Sequence, residues 1–399
     1  MNKTASMSLV ISTGIAIFSM FFGSGNVVFP LLLANVAGEE LPWALVGLII
    51  TAVGAPLLGL LGCVLFEGDC KQFFYRIGKY PGYITVILLL ALLGPIGVMP
   101  RCLIVAYGAV QPYFPDLSLF SFSIGAGIVT LLCIWRRHFI LPLLGGILSP
   151  LLIISLIIIM IAGIMKMTGL SPSTYTPFTA FKEGLATGYD TMDLLASLFF
   201  SVGIWMLLKD ALNIKDEDQG FHPKLISTYL WASLVGGILL AIIYVGLSLA
   251  AAAHPQALHN VAPEQALANL AIYLLGSKLA MVANLAVVLA CLTTIMSLAV
   301  AVVEVIHIEI AGTELGQKIP YRYGSMMLIT LIITVIFSNL GFSSIMAFLH
   351  PIMAIIYPAI IVLTICNIMY KLYGFPYVKV PVFATFIAAL VWKGFSSFS

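Results

Sequence analysis

Long apolar stretches follow one another along almost the whole chain, and most are long enough to cross a lipid bilayer. A helix needs about 20 apolar residues to span the hydrocarbon core, and a helix pairs its own backbone polar groups, as membrane-embedded backbone must. The sequence therefore predicts an all-α, polytopic membrane protein with about eleven spans. In chain order, spans one to eleven are 7–36, 41–66, 82–110, 119–135, 140–165, 182–209, 225–253, 277–311, 324–340, 344–372 and 378–395.

The composition supports one membrane-embedded domain. Of 399 residues, 61% are hydrophobic and 9% are charged, and the mean hydropathy is +1.12, whereas a soluble protein has about 25% charged residues. The net charge of +2 gives no reason to expect a nucleic-acid partner. The six cysteines lack metal-ligand spacing, and we interpret them as packing residues. Residues 1–399 are predicted to form a single transmembrane domain in a lipid bilayer.

Lysine and arginine lie mainly on one set of alternating connections, and cytoplasmic loops of membrane proteins are enriched in both. If the N-terminus is cytoplasmic, four of these residues lie outside (166, 182, 278 and 393), Arg101 lies within span three, and thirteen lie inside. The thirteen are Lys3, Lys71, Arg76, Lys79, Arg136, Arg137, Lys209, Lys215, Lys224, Lys318, Arg322, Lys371 and Lys379. The pattern predicts a cytoplasmic N-terminus. The longest outside segment, 254–276, is expected to hold a short helix over the extracellular mouth.

Span one is interrupted in its middle by residues 21–30 (FFGSGNVVFP). Gly23 and Gly25 are poor helix formers. Ser24 and Asn26 offer competing local hydrogen bonds, and Pro30 has no N–H to donate. Backbone freed at membrane depth is tolerated only where protein or a water-filled cavity satisfies it, so the break is a candidate binding site. A packing motif is the alternative, because Gly-x-Gly also lets a neighbouring helix approach.

Span six contains a second polar interruption at residues 185–193 (LATGYDTMD). Asp190 and Asp193 stand there beside Gly188, at a depth where acids are costly and face a cavity or a partner. The alternative is an exterior loop at 183–193, with one aspartate capping the helix that follows. Breaks at matching positions five spans apart predict a 5+5 inverted repeat with broken helices 1 and 6. Its repeats would cover about 6–166 and about 180–373, followed by an extra span at about 378–395.

Span eight carries adjacent hydroxyl groups at Thr293 and Thr294, in the sequence ACLTT. A lone threonine in a helix usually bonds back to the preceding turn. Two together, beside carbonyl groups loosened by a broken helix, are suited to supply hard oxygen ligands to a small cation. Sodium fits such a site, and the sequence leaves a proton open as the alternative.

Four motifs occur in order along most of the chain. They are FFGSGNVVFP in span one, Gly94-Pro95 followed by Pro100-Arg101 in span three, Glu183-Gly184 with Gly188 to Asp193 in span six, and Tyr357-Pro358 in span ten. Together they resemble the bacterial branched-chain amino acid:cation symporter family, which is placed in the leucine-transporter fold of the amino acid–polyamine–organocation superfamily. GSGN and ACLTT are also similar, more distantly, to the Gly-Leu-Gly-Asn and Ala-Gly-Leu-Thr-Ser sequences of the sodium-coupled leucine transporters.

The resemblance implies a symporter of leucine, isoleucine and valine in the bacterial inner membrane, with no cofactor beyond the coupling ion. The substrate carboxylate would meet backbone N–H groups at the positive end of a half-helix. The ammonium group would meet carbonyl groups of both breaks, with an aspartate as a further partner. The implied substrate site comprises Phe22, Gly23, Ser24, Gly25, Asn26, Gly188, Tyr189, Asp190, Thr191 and Asp193.

The same resemblance implies a sodium site between span one and span eight. Its oxygens would come from the carbonyl groups of Ser19, Phe22 and Ala290 and from the hydroxyl groups of Thr293 and Thr294. One ion would thereby join the two spans and couple ion binding to closure.

Arg101, His350 and Asp190 are ionisable residues inside predicted spans. Arg101 is interpreted as a gate that pairs with an acid such as Asp193, since Pro100 precedes it in mid-span; the alternative is that its side chain extends to an interface. For His350, packing with a hydrogen bond is favoured over proton transfer. Asp190 stands where the family has a neutral glutamine. This departure supports the alternative function, a proton-coupled transporter or exchanger of other amino acids on the same fold.

Two other function classes fit the sequence less well. An intramembrane enzyme needs a placed acid–base or metal constellation, such as paired histidines, and the sequence has none. A channel leaves the helix breaks unexplained. We therefore expect a transporter and no enzyme, with the order of preference among leucine, isoleucine and valine undetermined, because one methylene changes binding by only about 1–3 kcal/mol.

Overall fold

The structure, a computed structural model, describes residues 7–135, 149–167, 169–214, 222–311 and 323–396, which form helices and no strands. The start of predicted span five and six of the thirteen basic residues (Lys3, Arg136, Arg137, Lys215, Lys318 and Arg322) lie outside these ranges. In chain order the helices are α1 (Met7–Phe21), α2 (Ser24–Ala37), α3 (Leu41–Ile49), α4 (Ala55–Leu65), α5 (Cys70–Tyr75), α6 (Lys79–Leu93), α7 (Val98–Val110), α8 (Leu119–Trp135), α9 (Ser149–Met165), α10 (Pro177–Asp190), α11 (Asp193–Ala211), α12 (Pro223–Ala253), α13 (Ala266–Ala311), α14 (Tyr323–Ser338), α15 (Phe342–Tyr373) and α16 (Lys379–Ser396).

Every predicted span contains at least one of these helices. In the described part of the chain, six helical stretches are long and apolar enough to cross a membrane, and four shorter apolar helices accompany them. The multi-span architecture is therefore confirmed, while the number of crossings stays a prediction. Span one consists of α1 and α2, and span six consists of α10 and α11, so both predicted breaks are present.

Two further spans are interrupted. Span two contains a π-helical turn, Ile50–Gly54, between α3 and α4. Span three is divided into α6 and α7 by residues 94–97, where Pro95 has no N–H with which to continue a helix. Residues 254–276, predicted to be an outside segment, contain two 3₁₀ turns and the first residues of α13, which bends at Gly276. The short helical structure expected in this segment is thus confirmed.

Helix packing brings the two breaks together near the centre of the protein. α1 packs against α12, α7 against α13, and α3 against α10. α3 and α10 are in backbone contact at Gly184, where an added β-carbon would collide with the carbonyl group of Ala44. Gly188 lies against Thr51 of the π-helical turn in the same way. These glycines bring the N-terminal half of span six directly against span two.

Candidate functional site

The break in span one is a turn closed by Asn26. The backbone N–H of Gly23 donates to Asn26 Oδ1 at 3.1 Å, and α2 begins at Ser24. Gly25 then lies against the second break, because a β-carbon placed on it would be 3.1 Å from Cα and 3.2 Å from the carbonyl oxygen of Thr191. The two interruptions therefore face each other directly.

Asp193 joins the two breaks through a buried hydrogen-bond network. The Asn26 side-chain amide donates to Asp193 Oδ2 at 2.7 Å, and the hydroxyl of Tyr244 in α12 donates to the same oxygen at 2.9 Å. Asn26 also contacts the Tyr244 hydroxyl. Asp193 is only 2% exposed. Three spans thus meet at one carboxylate.

The break in span six falls later than predicted, at Thr191 and Met192. Gly188, Tyr189 and Asp190 remain in α10, so the predicted start of the break near Gly188 is wrong, as is the alternative of an exterior loop. The chain turns instead at Met192, which has a left-handed conformation with φ 63°. Leucine, methionine and other bulky residues rarely adopt such a φ, so the residue types did not indicate this turn.

Tyr357 supports the second break from span ten. Its hydroxyl accepts a hydrogen bond from the backbone N–H of Leu194 at 3.1 Å and donates to the Thr51 carbonyl at 3.3 Å. Its ring stacks on Tyr189, with centroids 4.7 Å apart. Tyr357 therefore pairs one of the N–H groups that α11 leaves free at its N-terminus.

The facing breaks enclose a small cavity of about 20 Å³, which is room for about one water molecule. Its polar wall comes from Gly23, Ser24, Gly25, Asn26, Thr191 and Asp193, and its apolar wall includes Leu93, Val98, Ala196, Phe200 and Leu298. The apolar residues belong to spans three, six and eight. A ligand the size of leucine therefore requires the surrounding helices to move apart.

Four of the predicted substrate residues lie outside the cavity wall. Phe22 packs on Phe18 with ring centroids 5.2 Å apart, and Gly188 faces Thr51. Tyr189 stacks on Tyr357, and the Asp190 carboxylate bonds to His350. Because α10 continues to Asp190, Gly188, Tyr189 and Asp190 face spans two and ten rather than the first break.

Arg101 is completely buried, and its partners differ from those predicted. One terminal nitrogen donates to the Asp190 carbonyl oxygen at 2.8 Å. The thioether sulfurs of Met192 and Met346 lie 3.2 and 3.4 Å from the guanidinium. Among the described residues, no ion pair joins Arg101 to an acid. The predicted ion pair with Asp193 is absent, and the Asp193 carboxylate instead accepts hydrogen bonds from Asn26 and Tyr244.

His350 in span ten bonds to Asp190, the residue at which α10 ends before the same break. The distance from His350 Nδ1 to Asp190 Oδ2 is 2.9 Å, and nearly half of the histidine side chain is exposed. The expected hydrogen bond of His350 is confirmed, and its partner is Asp190.

Both hydroxyl groups of the predicted sodium site bond back to their own helix. Thr293 and Thr294 donate to the Ala290 carbonyl oxygen at 2.7 and 3.0 Å. Each hydroxyl oxygen keeps lone pairs with which it can coordinate a cation. A β-carbon on Gly23 would lie 3.3 Å from Thr294 Cγ2 and 3.6 Å from its Oγ1. Span eight therefore touches the first break at the predicted place.

Sequence reasoning missed three residues of this centre. Tyr244 lies in an apolar stretch with no distinguishing signal, since an isolated tyrosine in an apolar span is ordinary. Met192 lies within the recognised interruption of span six, but methionine itself does not indicate a turn or a contact with arginine. Tyr357 was marked only as part of a motif, although a tyrosine before proline in mid-span is a detectable signal for a buried hydroxyl.

Two broken helices whose breaks meet at a buried polar centre are the architecture of secondary active transporters. Solved structures agree. A manganese transporter from Eremococcus coleocola superimposes with a TM-score of 0.59 over 99% of this chain and 88% of its own, at 14% identity. A Na⁺-coupled sialic acid symporter gives a TM-score of 0.56 over 97% and 89%, at 13% identity. The predicted leucine-transporter-like fold is thereby confirmed.

Sequence relatives define the family more narrowly. The profile of the branched-chain amino acid transport proteins matches residues 6–397. The branched-chain amino acid permease BraB of Bacillus subtilis is 31% identical over 90% of this chain and 80% of its own. The branched-chain amino acid transport system 3 carrier protein of Pseudomonas aeruginosa is 29% identical over 89% and 79%.

The chain therefore belongs to the branched-chain amino acid transport protein family. It is a multi-pass membrane protein, and because the family consists of transport proteins, the prediction that the chain is no enzyme is confirmed.

Proposed function

We propose that this protein is a secondary active symporter that imports leucine, isoleucine and valine together with sodium, by alternating access across the bacterial inner membrane. The main observation in support is the contact between the two helix breaks. The Asn26 side-chain amide donates to Asp193 Oδ2 at 2.7 Å, and the breaks enclose a cavity with a polar and an apolar wall. Such a site suits a ligand that has charged groups at one end and a branched alkyl group at the other.

The proposed substrate position follows from the polarity of the cavity wall. The carboxylate lies at the N-terminus of α2, where the backbone N–H groups of Ser24, Gly25 and Asn26 start the helix. The ammonium group lies near the Thr191 carbonyl, which faces Gly25, and near Asp193. The alkyl group occupies the apolar wall supplied by spans three, six and eight.

The proposed sodium position joins α1 to α13. The ligands remain the carbonyl groups of Ser19, Phe22 and Ala290 with the hydroxyl groups of Thr293 and Thr294, and the contact between Thr294 and Gly23 supports this position. Sodium binding then favours the arrangement in which α1 and α13 are together, which is how a cation drives closure around the substrate.

Replacing a threonine of this site tests the sodium proposal. Thr294→Val keeps the shape and removes a ligand, so half-maximal uptake should need about tenfold more sodium. Thr330→Val is the matched control, because Thr330 is equally buried and bonds back to Met326 at 2.9 Å in α14, away from the breaks. Equal sodium dependence of the two variants and the unaltered protein would exclude Thr294 as a ligand.

A proton-coupled transporter is the second candidate, and the bond between Asp190 and His350 is the observation that favours it. Both groups can carry a proton, and they lie beside the second break. Leucine uptake into proteoliposomes under an imposed sodium gradient, and then under an imposed proton gradient, distinguishes the two. We expect accumulation with sodium and competition by isoleucine and valine. Leucine accumulation under the proton gradient alone would identify the proton, and not sodium, as the coupling ion. No leucine uptake under either gradient would refute the proposed substrate class.

A further inference from the structure

Arg101 is a buried cation that has one good hydrogen-bond acceptor and two weak ones. Its side chain is 0% exposed, and its acceptors are one carbonyl oxygen and the sulfurs of Met192 and Met346. Its Nε has no hydrogen-bond partner in the described part of the chain. Thioether sulfur is a weak acceptor, whereas the planar fork of a guanidinium matches the two oxygens of a carboxylate. Two of the three acceptors of this strong anion-binding group are therefore weak ones that an anion can replace.

Asp193, which follows the same break at the start of α11, is a buried group of the opposite charge. Its carboxylate is almost completely buried and accepts hydrogen bonds from two neutral groups, the amide of Asn26 and the hydroxyl of Tyr244. Within the described residues, neither Asp193 nor Arg101 forms an ion pair. Charged groups inside a membrane that lack a direct ion-pair partner are costly and often mark the place of a charged ligand.

An α-amino acid carries both complementary charges. Its carboxylate can compensate Arg101, its ammonium group can compensate Asp193, and its side chain can lie along the apolar wall of the cavity. A ligand with only one of these charges leaves the other residue uncompensated. The pair of buried charges therefore selects a zwitterion over an acid or an amine.

Met192 separates Arg101 from the cavity. Its sulfur contacts the guanidinium, and the same residue forms part of the cavity wall. Its φ of 63° is unusual for methionine. The next residue of span three, Cys102, lies with Sγ 3.4 Å from Ser24 Oγ, so this turn of α7 is adjacent to the start of α2. A rotation of the Met192 side chain would open the guanidinium to the cavity beside Ser24.

We propose that Arg101 is a substrate-binding residue, which takes the carboxylate of the transported amino acid in exchange for the thioethers of Met192 and Met346. This inference rests on the proposed function, since it requires an amino-acid substrate. This role replaces the earlier interpretation of Arg101 as a gate that pairs with an acid. The substrate carboxylate would then be bound by the Arg101 guanidinium as well as by the backbone N–H groups of α2. Arg101 thereby distinguishes amino acids from the corresponding amines.

The test compares the binding of leucine and leucinamide to purified protein, because leucinamide keeps the ammonium group and the alkyl group but lacks the anion. In Arg101→Gln, leucine affinity should fall about 30-fold or more, whereas leucinamide affinity should change less than about threefold. Arg101→Lys keeps the charge but lacks the planar guanidinium, so leucine affinity should fall by an intermediate amount while leucinamide affinity stays unchanged. Retained leucinamide binding also shows that the variant is folded. A leucine-to-leucinamide affinity ratio equal to that of the unaltered protein would overturn the proposal.

A second variant tests the exchange of acceptors if Arg101→Gln does not fold. Met346→Leu keeps the volume and removes one competing sulfur, so leucine should bind about threefold more tightly while leucinamide is unaffected. An equal shift for both ligands, or an unchanged ratio, would overturn the proposal.

Failure of the inference can be separated from failure of the proposed function. If the unaltered protein bound none of leucine, isoleucine and valine, the substrate class would be wrong and the role of Arg101 would fall with it. Normal leucine binding, with an affinity ratio that Arg101→Gln does not change, would refute the role of Arg101 alone.

Discussion

Asn26 and Tyr244 both donate to Oδ2 of Asp193, so the Tyr244 hydroxyl supplies one of two hydrogen bonds to this buried oxygen. In Tyr244→Phe that oxygen loses a donor, and a lost hydrogen bond to a charged group costs about 1.5–3 kcal/mol. Because Asp193 also forms part of the proposed ammonium site, leucine affinity should fall about tenfold. Binding of radiolabelled leucine to the purified variant measures the loss.

Tyr107→Phe is the control for this substitution. It removes a hydroxyl that donates to the Leu117 carbonyl at 2.8 Å, outside the site. Thermal stability should therefore fall in both variants, while leucine affinity should fall only in Tyr244→Phe. Equal leucine affinities in the two variants would mean that Asp193 is structural and does not act on the substrate.

At this scale, residue types predicted some contacts and not others. Asp193 was identified because an acid at membrane depth is rare enough to require a partner. Which partner it has depends on the rotation of α12, and nothing in the sequence around Tyr244 reports that rotation. Arg101 was identified for the same reason as Asp193, yet its thioether partners come from distant spans, and methionine carries no signal of such a role.

The two breaks are in contact through Gly25, and this contact can be tested at the scale of the helices. A β-carbon at Gly25 would lie 3.1 Å from Thr191 Cα, which is backbone that cannot rotate away. Gly25→Ala should therefore push α2 and the second break apart and reduce leucine affinity about tenfold or more. Saturation binding of leucine gives the change.

Gly203→Ala in α11 is the matched control, because a β-carbon there meets no atom within 4 Å. This substitution should leave leucine affinity unchanged and stabilise the helix by up to about 1 kcal/mol. If Gly25→Ala bound leucine as well as Gly203→Ala does, the first break would be a packing feature only.

The existence of both breaks was predictable, whereas the position of the second one was not. In span one, glycine, serine, asparagine and proline coincide within ten residues, and each disfavours a continuous helix for its own reason. In span six, Gly188 has the same local preference, but packing against Thr51 keeps it helical. The chain turns at Met192 instead, so tertiary contacts overrode local preference.

The orientation of the whole molecule remains a prediction from its basic residues, and it can be measured. With a cytoplasmic N-terminus, the connection between α9 and α10 is extracellular and the connection between α11 and α12 is cytoplasmic. Thr174 and Asn213 are exposed residues of these two connections. In intact cells, a membrane-impermeant maleimide should label Thr174→Cys and should label Asn213→Cys only after permeabilisation. The reverse pattern would invert the proposed direction of every span.

Span two and span six are interrupted next to each other, and this bears on how the molecule moves. α3 packs on α10 and α4 packs on α11, while the π-helical turn Ile50–Gly54 touches the broken span six between them. The backbone contact at Gly184 holds α10 closely against α3, and Gly188 lies against Thr51 of the π-helical turn. We therefore expect two rigid bodies, one formed by α3 and α10 and the other by α4 and α11, which are joined at the π-helical turn and the second break. A change between inward-facing and outward-facing states would then bend both spans at the same depth. The substrate site would lie at this hinge and would be the last part of the protein to deform.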